Sequence, residues 1–198
     1  MSNLAKEPTG KKDIIRAAIK IFAKKGYDAT SVDEIAAKAK VAKGTIYYHF
    51  ATKQEIFLTI IDQGIETFTT MLKQGIDAES DPGAQLTAFI SIQVDFFQEY
   101  KDFCKVLLTE MWRLETHWQK EFKDLRGKYN PIAVSILKKG IDAGIFRPTI
   151  NPDTVATALF NAIAFTSIEI PLMHKDIAIP SIKPQLTDMI MGGICKKE

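Results

Sequence analysis

Apolar residues recur every three to four positions along almost the whole chain, and no stretch sustains the strict alternation of a half-buried strand. Residues 11–25 set the pattern. Ile14, Ile15, Ala18, Ile19, Ile21 and Phe22 share one broad face, while Lys12, Arg16, Lys20 and Lys24 lie largely elsewhere. Lys24 and Lys25 suit the negative end of that helix, and Gly26 suits the left-handed residue that follows it. This restricts the chain to an all-α fold.

The punctuation between helices is equally regular. Ser31-Val32-Asp33-Glu34 is a capping box, in which the Ser hydroxyl accepts from a free backbone N–H and Glu34 reaches back. Its helix carries Val32, Ile35, Ala36 and Ala39, and a short third helix covers residues 43–50. A long helix from about residue 53 to 75 follows. Asp81-Pro82-Gly83 starts the next one, over 84–100, with another over 102–114. Residues 115–143 read as a helix that Pro131 should kink or split. Asn151-Pro152-Asp153 restarts a helix over 152–170 that Pro171 should close, and a last one covers 181–194. About nine helices are expected: three in an N-terminal part and the rest in a C-terminal bundle.

Charge divides the chain unevenly. Residues 1–53 hold eleven Lys/Arg against five Asp/Glu, a net +6, and residues 54–198 hold fifteen against nineteen, a net −4. A basic first quarter on an acidic remainder suggests two jobs, with the basic part facing a polyanion. The second and third helices in that quarter are joined by only a few residues, as in a helix-turn-helix. In that motif the third element enters the major groove and the second crosses the phosphates. Thr30 and Ser31 can present hydroxyls and backbone N–H groups to a phosphate. Lys43, Lys53 and Lys12 are placed to neutralise phosphates. Gly44 removes a side chain where backbone approaches DNA, and Thr45, Tyr47, Tyr48 and His49 give the third helix polar and aromatic tips. Spacing alone also fits a plain helical core in which residues 47–50 pack with their polar edges outward.

Specific residues go further. Gly26-Tyr27-Asp28-Ala29-Thr30-Ser31-Val32-Asp33-Glu34-Ile35-Ala36, then Val41-Ala42-Lys43-Gly44-Thr45-Ile46-Tyr47-Tyr48-His49-Phe50, then Lys53-Gln54-Glu55-Ile56-Phe57 together resemble the DNA-binding domain of the TetR family of bacterial transcriptional regulators. The resemblance spans about residues 11–58, with the helix-turn-helix at about 31–50. It implies a homodimer with a DNA-binding domain at 1–52 and an effector-binding and dimerisation domain at 53–198. It further implies repression from a pseudo-palindromic operator in double-stranded DNA, relieved by a small, mostly apolar effector, with no cofactor. Lys53 matches a lysine the family often places on the phosphate backbone. Two positions depart from the family pattern: Lys40 stands where Gly is frequent and Ala42 where Ser is frequent.

In the C-terminal part the helix over 152–170 is apolar nearly all round and the one over 181–194 is amphipathic. Two such helices from each subunit would make a four-helix dimer interface, with Leu159, Ile163, Ile182, Leu186 and Ile190 as candidates. Aromatic density suggests an effector pocket lined by Phe89, Phe96, Tyr100, Trp112, Trp118 and Phe165, although aromatics at this spacing equally make plain core. His117, Glu169, Arg113 and Asn161 are the polar candidates. Glu169, between Ile168 and Ile170, either pairs inside the pocket or points to solvent.

Other classes find little support. The 46% hydrophobic and 25% charged composition is that of a globular chain. No apolar run approaches the ~18 residues of a membrane span. The first thirteen residues lack a signal-peptide core, and a cytoplasmic protein is the simplest reading. Cys104 and Cys195 form no scaffold or metal motif, and His49, His117 and His174 show no metal spacing. No nucleophile elbow, phosphate loop, dinucleotide fingerprint or HExxH helix occurs, so no enzyme is expected. A lipid- or protein-binding basic module would not need the register of capping box, turn and third helix.

Overall fold

The computed structural model describes residues 9–112, 119–173 and 181–196, and these described residues form nine α-helices. They are α1 (Thr9–Lys25), α2 (Val32–Ala39), α3 (Lys43–His49), α4 (Lys53–Asp77), α5 (Pro82–Glu99), α6 (Lys101–Trp112), α7 (Gln119–Asp142), α8 (Pro152–Met173) and α9 (Ile182–Ile194). Among the described residues the only extended pairing is a single bridge between Phe146 and Cys195.

The caps explain where helices begin. Ser31 Oγ accepts from Glu34 N at 3.2 Å while Glu34 Oε2 accepts from Ser31 N at 3.0 Å, which completes the capping box. Asp81 caps α5 through Ala84 N at 2.8 Å, and Asn151 accepts from Thr154 N at 2.9 Å. Gly26 takes the left-handed conformation that ends α1 (φ 81°).

Pro131 does not split its helix, and Pro171 does not close the one it lies in. α7 runs through Pro131, and α8 continues past Pro171 to Met173. Pro131 withholds a donor from the carbonyl four residues earlier, that of Gly127. Gly127 is exposed, so water can serve that carbonyl and the helix need not split.

The chain forms two compact units. The first comprises α1–α3, α4 up to Ile65, and α6 from Asp102. Its core holds Ile14, Ala18, Phe22, Ile35, Ile46, Phe50, Ile56, Phe57, Ile60 and Ile61. A methyl group on Gly64 would collide with the ring of Phe103, so this glycine lets α6 lie close against α4. The units part inside α4, beyond the 52/53 boundary drawn from the motif, because four apolar residues of its first turns fill the first unit's core.

The second unit comprises α4 from Glu66, α5, and α7–α9. α5 is central to it, packing against α7, α8 and α9. Lys183 on α9 pairs with Asp95 on α5 at 2.6 Å. The turn after α7 is tied to the chain end, with Arg147 N donating to Ile194 O at 2.9 Å and Lys196 N to Ile145 O at 3.0 Å.

Candidate nucleic-acid interface

α3 is seven residues long and could not persist alone. Its buried side is Ile46, with Phe50 capping its end, both essentially inaccessible. The opposite side carries Tyr47 at 49% exposure and Tyr48 at 83%, large rings that a folded core would ordinarily cover. His49 is half-buried, 4.9 Å from Tyr48 between ring centroids. Thr45 is also half-buried, and both Thr45 and His49 lie near Gly10 at the start of α1. Lys11 stands over the Phe50 ring at 5.7 Å.

Gly44 is exposed, and a Cβ built on it meets nothing within 4 Å. Packing therefore does not demand glycine there. Lys43 is exposed and pairs with Asp33 at 2.8 Å, a contact that raises its pKa. Ala42, the residue before α3, provides no side-chain cap. Lys40 ends α2 in the left-handed conformation, φ 58° and ψ 41°.

Two candidates sit differently from a phosphate-facing surface. Thr30 is 3% exposed, and its hydroxyl donates to Gly26 O at 2.7 Å. Lys53 turns its ammonium toward the α1–α2 turn, donating to Tyr27 O and Thr30 O, each at 2.8 Å. It also lies 4.3 Å from the Tyr27 ring centroid. Ser31 is exposed, but its hydroxyl and N–H are engaged in the capping box. Glu34 in turn accepts from Lys25, and that bond, with the Ser31 N–H next, lowers its carboxyl pKa to about 2. Glu110 on α6 is 4% exposed and accepts from Tyr27 N at 3.3 Å. Burial is the first cause of the raised Tyr27 pKa, followed by Asp28 and Glu110.

In the second unit, Phe89 and Phe96 are buried and Tyr100 is half-buried against Phe96, at 4.7 Å between ring centroids. Phe165 is 40% exposed and Glu169 is exposed, so both point away from that core. The Trp112 side chain, and His117, Trp118 and Arg113 altogether, lie outside the described residues. Asn161 Nδ2 donates to Thr157 O within its own helix at 2.8 Å.

The five interface candidates, Leu159, Ile163, Ile182, Leu186 and Ile190, are all 8% exposed or less within the single chain. They are core. The sides of α8 and α9 left outward carry Ala158 and Phe165, and Met189 and Gly192. α8 also exposes Thr154 and Glu169 on that side, with apolar residues between them, so its outward side has no continuous polar stripe to mark it.

Sequence reasoning missed a polar pair in the aromatic core: Tyr129 on α7 donates to Gln93 Oε1 on α5 at 2.8 Å. Gln93 lies on the stripe of Leu86, Phe89, Ile90 and Phe97, and a polar residue on such a stripe is the signal that could have found it. Burial drives the Tyr129 phenol pKa well above the ordinary range. Among the described residues no group of His, Cys, Asp and Glu is placed to hold a metal, and no helix is long and apolar enough to cross a membrane.

Comparison with known proteins places this arrangement. Residues 14–60 match the family model for bacterial regulatory proteins of the tetR family, and residues 79–167 match a tetracyclin repressor-like C-terminal domain. A protein of Clostridium perfringens, described as a candidate fatty acid metabolism regulator, has a solved structure with 31% identity and a TM-score of 0.83 over 93% of this chain and 100% of its own. The regulator FadR from Bacillus subtilis, solved with stearoyl-CoA, superposes with a TM-score of 0.81 at 21% identity over 92% and 98%. The transcriptional repressor KstR2 of Mycolicibacterium smegmatis is 23% identical over 97% of this chain and 94% of its own. A regulator of Bacillus subtilis is 35% identical over 102 residues, and the chain spans 35% of that longer protein. The chain belongs to the TetR family of bacterial regulatory proteins and is a DNA-binding helix-turn-helix regulator of transcription.

Proposed function

We propose that this regulator is a repressor that binds a pseudo-palindromic operator as a homodimer and leaves it when a fatty-acyl effector, first of all an acyl-CoA thioester, occupies the second unit. The DNA part of this reading is carried by one observation: α3 buries Ile46 and turns Tyr48 outward at 83% exposure. Tyr47, Tyr48, Thr45 and His49 supply base, methyl and phosphate contacts, with Lys43 at the phosphates. Gly44 fits the same face, since none of the described residues occupies the space beside it. Lys53, Thr30 and Ser31 serve this surface from behind, by shaping the turn that presents α2. Residues 1–52 read DNA, and residues 53–198 bind the effector and the second subunit.

The effector class is supported by the full-length resemblance, at 31% identity, to a candidate fatty acid metabolism regulator and by the stearoyl-CoA bound to FadR. An effector acts only through different affinities for two conformations. α4 is one continuous helix that begins at Lys53 and continues into the second unit, so a tilt of its far half carries to its start. In a dimer, recognition helices must match major grooves ~34–36 Å apart or a multiple of it. Subunits join through the outward sides of α8 and α9, at Phe165 and Met189. No cofactor is involved, no membrane is engaged, and the protein works in the cytoplasm.

The test is fluorescence anisotropy with a labelled duplex from beside the protein's own gene and a scrambled duplex, at low and high salt. Preference for the genomic duplex that survives high salt, and its loss on adding acyl-CoA of short, medium or long chain, is the expected result. Salt-sensitive, equal binding to every duplex offered, including a randomised pool, would overturn the operator reading. Operator affinity indifferent to every acyl-CoA would overturn the effector reading.

A further inference from the structure

Gln93 is fully buried on α5. Its amide oxygen accepts the Tyr129 hydroxyl at 2.8 Å. Its two amide N–H groups share one acceptor, the Phe160 carbonyl, at 3.5 Å. That distance is the outer limit of a hydrogen bond. Tyr129 is 2% exposed and stands among the rings of Phe68, Phe89 and Phe160, at 5.7, 5.5 and 5.0 Å between centroids. Two turns beyond Phe160 on α8, Ser167 is 2% exposed with a hydroxyl that has no partner among the described residues. Donors left nearly unused in an aromatic surround are costly, and a leucine and a phenylalanine would fill the same space without that cost.

We infer that Gln93, held in place by Tyr129, is the recognition point for a neutral carbonyl oxygen on an otherwise apolar effector. This rests on the acyl-effector reading above and sharpens it. The amide offers an N–H, while the Tyr129 hydroxyl stays on the amide oxygen and fixes which way that N–H points. A carboxylate finds no neutralising partner among the described residues: the buried polar groups of this unit there are Gln85, Gln93, Ser167 and the Tyr129 hydroxyl, none of them a cation. A thioester carbonyl presents a neutral acceptor on a hydrocarbon chain, which is what this pair can satisfy.

The experiment is isothermal calorimetry on the full chain with stearoyl-CoA, its thioether analogue S-octadecyl-CoA (which lacks only the carbonyl oxygen) and free stearate. The wild-type protein should prefer the thioester to the thioether about tenfold, the loss expected when a buried donor goes unpaired. In Gln93→Leu the preference should fall to near unity with thioether affinity retained. Tyr129→Phe, which keeps the ring volume, should reduce it in the same direction and serves alone if Gln93→Leu does not fold. Equal wild-type affinity for thioester and thioether, tighter binding of free stearate, or a preference unchanged in both variants overturns the inference and leaves the acyl-effector reading standing. Failure of the wild-type protein to bind thioester and thioether alike overturns that reading, and the inference with it.

Discussion

The ammonium of Lys53 lies 4.3 Å from the centre of the Tyr27 ring and donates to the carbonyl of the same residue at 2.8 Å. The first residue of α4 thereby holds the turn that leads into α2. Glu110 of α6 takes the N–H of Tyr27 at 3.3 Å, so α4 and α6 grip one residue. Replacing Lys53 by Met should lower stability by about 1–3 kcal/mol, the sum of lost charged hydrogen bonds and the cation–π contact. The salt dependence of DNA binding should keep its slope. Chemical denaturation and a salt titration check this together. An unchanged midpoint with a slope reduced by about one would return Lys53 to the phosphates.

Tyr48 has the opposite profile. Removing its exposed ring should leave stability within about 0.5 kcal/mol, because among the described residues it meets only the edge of His49 and is otherwise open to solvent. Operator affinity should fall by about tenfold or more in Tyr48→Ala. Gly44→Ala should behave likewise, neutral in folding and harmful in binding, since the added methyl meets only what comes from outside. Thermal melts beside anisotropy titrations decide both.

Lys40 and Ala42 are places where local chemistry is short of its best. A left-handed lysine is strained relative to glycine, so Lys40→Gly should stabilise the fold by about 0.5–1 kcal/mol. Ala42→Ser adds the missing cap on α3 and should contribute about 0.5–1 kcal/mol. Lys40→Gly also removes a positive charge from the basic face, so nonspecific DNA binding should weaken as stability rises. A variant that melts lower than the parent would contradict the cap assignments.

The capping box has a defined acid limit. The Glu34 carboxyl is lowered from 4.5 to about 2, first by Lys25 and then by the Ser31 N–H. A lowered folded pKa means that the carboxylate stabilises fully above its unfolded value and loses that effect as pH falls through the folded one. The difference in melting temperature between wild type and Glu34→Gln should be constant near neutrality. It should shrink as pH drops from about 4.5 towards 2, and be smaller throughout at high salt. A difference that stays flat across that window would show that the charge of Glu34 is irrelevant.

Inner and outer sides of the last two helices should separate cleanly by mutation. Leu186 is buried, and Leu186→Ala should cost about 2–5 kcal/mol in the subunit itself. Met189 is 59% exposed, and Met189→Glu should leave the secondary structure intact while shifting sedimentation towards the monomer mass. A Met189→Glu protein that sediments as the parent does would move the interface elsewhere.

Helix starts were legible because their chemistry is local: Ser31 with Glu34, Asp81 with Ala84, and Asn151 with Thr154 lie three residues apart. The recognition helix was legible for a related reason, since its short run needs a tight turn on one side and a capped neighbour on the other. What could not be read depends on distant partners. Pro131 deprives the carbonyl of Gly127, an exposed residue, where water can take the place of the missing donor. The exposed side of α8 mixes Ala158 and Phe165 with Thr154 and Glu169, so the packing of α5 and α7 is needed to tell which side is inner. The bonds from Lys53 to the carbonyls of Tyr27 and Thr30 span more than twenty positions and leave no local signal. Gln93 and Tyr129 are thirty-six positions apart, and only the assembled bundle brings them together.

Gly44 bears on how such a regulator can change. Most positions near a recognition surface are bound twice, by the fold and by the partner, so a new specificity arrives with a folding defect to repair. Position 44 answers to the partner alone. Substitutions there can be tried by selection one at a time, without a compensating change elsewhere, and the operators they favour would report the outline of the DNA against this helix.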